Sequence, residues 1–218
     1  MEHDVFGCFV TVSPLDEFQN IISEFCAGSI ADMCAVARPA SAPGQKSPRQ
    51  AMTLAGLITS VRPHVDRSGR EMVFVKMEDG TGWLDLVLFH DAYESNKSLV
   101  SVGTAVLAKG RLEKRGTSVT LITDQLVGMD QPERLYESIL IKLDEGVGLD
   151  IMKKLKDLLR EYPGDRPVCI EMSESGSTFE FRVGWSCRPA SSLRRQLESL
   201  LGPYSVFFLK SQGELSGS

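Results

Sequence analysis

Between Met52 and Val127 the chain consists of short β-rich runs punctuated by turns, and this pattern leaves few folds open. Five strands are read, roughly Thr53 to Val65, Met72 to Met77, Trp83 to Phe89, Ala105 to Leu112 and Ser118 to Val127. The separators are the turns DRSGRE, EDGTG and EKRGT, and one longer insert, His90 to Val100, between the third and fourth strands. That insert places Tyr93, Leu99 and Val100 where a short helix would turn them onto a core. Gly56 and Gly110 fall inside strands, where glycine marks a bulge or a close backbone approach that bends a sheet.

Five strands with a helix at that point is the order of an OB-type barrel, whose second and third strands and flanking loops bind oligonucleotides or oligosaccharides. Downstream the pattern changes to Ile139–Leu143, Asp150–Tyr162, Val168–Met172, Thr178–Val183, Ala190–Leu201 and Val206–Leu209. This is β-α-β-β-α-β, which suggests a small ferredoxin-like α/β domain. Ile151, Leu155, Leu158 and Leu159 in one helix, and Leu193, Leu197, Leu200 and Leu201 in the other, recur at helical spacing. Upstream, Leu15, Phe18, Ile21, Ile22 and Phe25 have rough helical spacing after Ser13-Pro14, and the Pro-rich stretch 34–51 reads as a solvated connector. The expected organisation is a helical segment and linker over 1–50, the barrel over 51–130, the α/β domain over 131–211 and a flexible tail over 212–218.

Hydrophobic residues at 42% and charged residues at 24% are the usage of a globular chain. The net charge of −5 excludes a binder that works by overall positive charge. The sum is 3 basic against 6 acidic residues over 1–50, 9 against 10 over 51–130 and 12 against 13 over 131–218, so any anion binding is local. Five cysteines without a Cys-x-x-Cys pair, and His3, His64 and His90 far apart, argue against a zinc site or a disulfide framework. No secretory or membrane-spanning run occurs, and cytoplasm is the expected location. Neither phosphate-binding loops nor nucleophile motifs are found, and no cofactor is expected.

Eight of the nine basic residues of 51–130 gather on two connections: Arg62, Arg67, Arg70 and Lys76 about the first hairpin, Lys109, Arg111, Lys114 and Arg115 about the last. They form either a phosphate-binding footprint or ordinary hairpin solubility. Period-two alternation sends Phe74 and Lys76 to the non-core face of the second strand, and Trp83, Asp85, Val87 and Phe89 to one face of the third. Phe74 beside a cation suits stacking on a base, unless helix or linker covers it. Trp83, after Gly80-Thr81-Gly82, reads as turn-anchored packing, while Asp85 would repel phosphate. In the last domain Trp185 is read in a loop before the second helix, as a domain anchor or a partner contact, with Phe207 and Phe208 as further contact candidates.

Leu54-Ala-Gly-Leu57, Val61-Arg62, Arg67-Ser-Gly-Arg70, Met77-Glu-Asp-Gly80, Gly82-Trp-Leu-Asp85, Val87-Leu-Phe89 and Gly110-Arg111 together resemble the OB domain of the bacterial DNA polymerase III alpha subunit, the C-family replicative polymerase. Glu2 to Gly7 through Ser13-Pro-Leu-Asp16 resembles the segment before that domain, with Val12 and Ser13 in place of its Gly-His. Pro167-Val168, Phe181-Arg-Val-Gly-Trp185 and Pro189 through Gly202 resemble its terminal domain, which in the family binds the tau subunit of the clamp loader. The resemblance implies a non-catalytic piece, excised or separately encoded, without the polymerase palm. It would bind single-stranded template DNA and tau, beside the rest of the replicative holoenzyme. The rival reading is a protein-interaction fragment whose barrel is purely structural.

Overall fold

The computed structural model describes residues 14–37, 51–144, 146–174 and 177–210, apart from the side chains of Arg115 and Glu174. The chain falls into two compact units that meet in sequence at Asp130 and Gln131. In the first, strands β1 (Ala51–Val65), β2 (Glu71–Glu78), β3 (Trp83–Leu88), β4 (Ala105–Arg115) and β5 (Ser118–Gly128) form a closed barrel in the order β1-β2-β3-β5-β4. Every pairing is antiparallel except β3 with β5, which is parallel through Asp85↔Thr120, Leu86↔Leu121 and Val87↔Ile122. The five expected strands and their order are therefore present.

Alternation along the strands fills the barrel with Leu54, Ile58, Val73, Val75, Met77, Leu84, Leu86, Leu88, Leu121 and Leu126, all buried. The two strand glycines sit where a side chain would collide. A Cβ on Gly110 would run into the Ile122 carbonyl, and there the β4–β5 register slips between Lys109 and Gly110. A Cβ on Gly56 would meet the Met77 side chain. The bulge at Gly110 is the kind of local bend a small barrel needs to close.

Helices cover both ends of the barrel. Helix α3 (His90–Asn96) follows β3 and brings Tyr93, with Leu99 and Val100 beyond it, against the core as the sequence suggests. Asn96 is buried; its Oδ1 accepts from the Leu126 N–H of β5 at 2.9 Å, and its Nδ2 donates to the Ala92 carbonyl at 2.6 Å. At the other end, α1 (Gln19–Phe25) is followed by α2 (Ile30–Val36), whose Ile30 joins the barrel core. A capping box between Ser29 and Asp32 starts α2. Asp79 in the β2–β3 turn ties it down: one carboxylate oxygen accepts from Ile30 N at 2.7 Å, the other from Thr81 N, Thr81 Oγ1 and Gly82 N. Helix α2 corrects the reading of a connector from residue 34, because one capping box and three core-facing residues, Ile30, Met33 and Cys34, suffice for a helix this short. Residues 38–50, the Glu2–Gly7 motif and the tail lie outside the described residues.

The second unit orders β6 (Tyr136–Leu143), α4 (Leu149–Arg160), β7 (Arg166–Glu174), β8 (Ser177–Cys187), α5 (Ser191–Leu201) and β9 (Val206–Lys210) as β-α-β-β-α-β. Its sheet runs β8-β7-β6-β9, with β6 and β7 parallel neighbours. This departs from the expected ferredoxin-like arrangement, in which the strands of each βαβ unit are split by another strand. Here β8 turns straight back onto the outer edge of β7, and β9 takes the free edge of β6. Leu155 and Leu159 of α4 and Leu193 and Leu197 of α5 pack with Ile139, Ile141, Val168 and Ile170.

Asn96→Ala leaves the buried Leu126 N–H without its acceptor and is expected to cost about 1–3 kcal/mol in chemical denaturation. Asp79→Ala, which frees the α2 N-terminus and the β2–β3 turn together, is expected to cost about 1.5–3 kcal/mol. Asp79→Asn should recover part of that loss, because the amide oxygen can keep one set of acceptor contacts.

Candidate nucleic-acid interface

Strand register lines up the outward side chains of the barrel in rows. Arg62 on β1 pairs with Phe74 on β2, Phe74 with Val87 on β3, Val87 with Ile122 on β5, and Ile122 with Arg111 on β4. The result is an apolar strip with an arginine at each end, Phe74 exposed and Val87 buried within it, the arginines four strand spacings of about 4.8 Å apart along the surface. The neighbouring row is Ser60, Lys76, Asp85, Thr120 and Glu113. Between and beside the rows lies an apolar pocket of about 300 Å³, lined by Met72, Phe74, Val87, Phe89, Glu113, Thr120 and Ile122.

Three aromatic side chains of the barrel are exposed here. Phe74 is 37% exposed, Phe89 53% and Trp83 56%. Phe74 is held edge-on against His64, with ring centroids 5.7 Å apart, and the Lys76 ammonium lies 4.0 Å from the centre of the Trp83 ring. Trp83 corrects the expectation of turn-anchored packing: the β2–β3 turn is fixed by Asp79, which leaves the indole outside as a platform under a cation. Sequence reasoning left Trp83, Phe89 and Glu113 out of the site. The alternation that put Trp83 and Phe89 on the outer face of β3 was the available signal for two of them.

The basic side chains do not all converge. Arg62, Lys76 and Arg111 belong to the two rows, and Arg67 and Arg70 stand in the turn that follows β1. In that turn Asp66 accepts from Ser68 N, Ser68 Oγ and Arg70 N, and Arg70 Nε lies 3.4 Å from its other oxygen. The Ser68 hydroxyl, then the Arg70 N–H, draw the Asp66 carboxyl down to about 2. Arg70 is thus partly spent inside the turn, whereas Arg67 is exposed. Arg111 comes within 3.9 Å of Asp124, and its Nε is buried without a hydrogen-bond partner.

Lys109 pairs in register with Thr53 and Gln125, away from the strip, and has a partner of its own. Lys114 has the inward parity of β4 and acts on the Cys34 thiol of α2. That thiol is raised by burial first and then by Asp79, with Lys114 opposing. The Arg115 side chain lies outside the described residues.

In the second unit Trp185 is on β8 rather than in a loop. Three residues, Val183 to Trp185, stand opposite the single Val168 where the β7–β8 register shifts, and the strand continues to Cys187. The indole packs on the second core, with the Lys156 ammonium 6.0 Å from its ring. Phe208 also packs there, edge-on to Tyr136 at 5.2 Å and under the Arg194 guanidinium at 4.4 Å. Phe207 points to the opposite face, pairs with Leu140 and lies 5.3 Å from the Lys142 ammonium. Burial pushes the Cys187 thiol up to about 11, which keeps it protonated and inert near neutrality. Among the described residues no cluster of metal-ligating side chains occurs and no helix is long and apolar enough to cross a membrane.

Residues 52–127 match the family model of the OB-fold nucleic acid binding domain. The chain is 27% identical over 212 residues to the DNA polymerase III subunit alpha of Pseudomonas fluorescens, covering 94% of this chain and 17% of that protein. It is 21% identical over 207 residues to the Bacillus subtilis subunit, covering 94% of this chain and 18% of that one. Among solved structures, the single-stranded DNA binding protein of Thermus aquaticus is 17% identical with a TM-score of 0.32, over 36% of this chain and 39% of that one. The chain spans about a sixth of the length of the curated relatives it matches, and the match extends beyond the OB-fold residues 52–127. Residues 52–127 thus match the OB-fold nucleic acid binding family, and the chain is similar over nearly its whole length to a part of the bacterial DNA polymerase III alpha subunit.

Proposed function

We propose that the chain is a non-catalytic module of a bacterial replicative DNA polymerase alpha subunit, acting in the cytoplasm without a cofactor. Its barrel holds single-stranded template DNA, and its second unit docks the clamp-loader tau subunit within the polymerase holoenzyme. The observation that carries the DNA reading is the strip from Arg62 through Phe74, Val87 and Ile122 to Arg111, with Trp83 and Lys76 beside it. Arginines at the ends of an apolar strip suit phosphates on either side of unstacked bases. Each base stacked on an aromatic ring contributes about 1–3 kcal/mol whatever its identity. Asp85, Glu113 and Asp124 interleave with the cations, so binding is modest and confined to the strip.

For the second unit, support comes from relatives that match 94% of the chain, well beyond the barrel, and from Phe207, exposed on the sheet face that the helices do not cover. Trp185 and Phe208 support that face from behind as packing residues.

Fluorescence anisotropy across a salt series tests the DNA reading. Oligo-dT should bind more tightly than duplex of equal length, and a duplex preference would remove Phe74 and Trp83 as stacking surfaces. Arg67→Ala should flatten the logarithmic salt slope by up to about 0.7, the value of one lost phosphate contact to a single strand. Arg70→Ala should change it less, since Asp66 already engages that side chain. Unchanged slopes in both, with normal melting, would return this turn to a solvated hairpin and favour a structural barrel.

In the tau assay, Phe207→Ala should weaken capture by about 2 kcal/mol at an unchanged melting temperature. Trp185→Ala should instead lower the melting temperature, because it removes a ring from the core. Full capture by Phe207→Ala would move the tau surface elsewhere.

A further inference from the structure

The pocket beside the strip has features that stacking alone does not need. Its walls are Met72, Val87 and Ile122, with Phe74 and Phe89 exposed at it, and the polar residues that line it are Thr120 and Glu113. Thr120 and Glu113 are register partners across β5 and β4, so they stand side by side on the outer face. Two residues along β4 on the same face, Arg111 holds a buried Nε with no hydrogen-bond partner. An anionic group at the edge of an apolar pocket in a phosphate-binding strip repels the backbone, and it attracts a ligand part that is flat, apolar on its faces and a hydrogen-bond donor on its edge.

Resting on the reading of the barrel as a single-strand binder, we propose that this pocket takes one nucleobase of the bound strand and that Glu113 selects bases presenting an amino group over thymine. The base lies among the pocket's apolar walls, with Phe74 and Phe89 beside it. Its exocyclic N–H₂ donates to Glu113, as cytosine N4 does to a carboxylate in base readout. Glu113 has another partner in the structure, but an ionised carboxylate has about four acceptor positions and can serve two donors. Thymine presents a carbonyl oxygen where cytosine presents its amine, and so meets the carboxylate with like polarity. The terminal N–H groups of the Arg111 guanidinium, 3.9 Å from Asp124, supply donors for the adjacent phosphate and hold the strand with its base turned inward. A small binding site is commonly apolar with a few placed polar groups, and this pocket fits that description at about the lower size limit.

Oligo-dC and oligo-dT of one length are the probes, compared by anisotropy on the full chain. The wild-type protein should prefer oligo-dC by roughly 10- to 100-fold, the effect of one hydrogen bond to a charged acceptor. Glu113→Gln, which removes the charge and adds a donor able to meet thymine O4, should bring the two affinities together within about 2-fold. Phe89→Leu should weaken both oligonucleotides and leave their ratio unchanged, and the ratio within each variant is its own control for folding. Equal, salt-dependent binding of oligo-dC and oligo-dT by the wild type would overturn the pocket while leaving the single-strand reading intact. An oligo-dC preference that survives Glu113→Gln would also overturn it. Binding of neither probe would remove both readings.

Discussion

The short parallel pairing of Asp85, Leu86 and Val87 with Thr120, Leu121 and Ile122 turns five strands into a closed surface. Without it β3 and β5 would be exposed edges, and their backbone N–H and C=O groups would need other partners. Closure depends on the bend at Gly110, where no side chain could pass the Ile122 carbonyl, and on Asn96, which satisfies Leu126 N just past the register slip. The same pairing sets Val87 beside Ile122 and Asp85 beside Thr120 on the outside. The rows that form the candidate interface are therefore the outer side of the closure itself.

The second unit solves a different problem with one sheet face. Helices α4 and α5 bury Ile139, Ile141, Val168 and Ile170, and the opposite face keeps Leu140, Lys142, Glu171 and Phe207. Lys142 and Glu171, register partners 2.8 Å apart, fix that face as polar beside the Phe207 ring. Val183, Trp185 and Cys187 alternate onto the core side of β8, and the two extra residues at the register shift keep that alternation in phase, so the indole stays on the core side.

Much of this was legible in the residues, and the misses have local causes. The five barrel strands and α3 are marked by period-two alternation, turn residues and one apolar insert, signals that act over a few neighbours. Helix α2 was missed because it is seven residues long and is anchored by Asp79, forty-nine positions beyond the Ile30 N–H it accepts from and invisible to any window. The strand order β8-β7-β6-β9 was missed because element order constrains which strands exist, and side-chain burial at both faces decides which of them touch. At the site, alternation placed Phe74 and Lys76 together correctly. It could not show that Lys76 would sit over Trp83 or that Arg70 would be drawn into its own turn.

Charge is where local arrangement outweighs composition. A chain of net charge −5 has no long-range pull on a polyanion, and at physiological ionic strength fields fade within about 8 Å in any case. On the proposed reading, what a strand would meet is the strip, where Arg62 and Arg111 stand at the ends and the carboxylates of Asp85 and Glu113 occupy the adjoining row. Acidic residues beside the cations would be a defect in a surface built only for phosphate. In one that also reads bases they are useful, since they lower affinity for backbone in general and leave binding dependent on bases entering the apolar surface between the arginines. On the proposed reading, the net negative charge and the OB fold are compatible in one design: weak attraction to any polyanion, and selective retention of a strand whose bases are free.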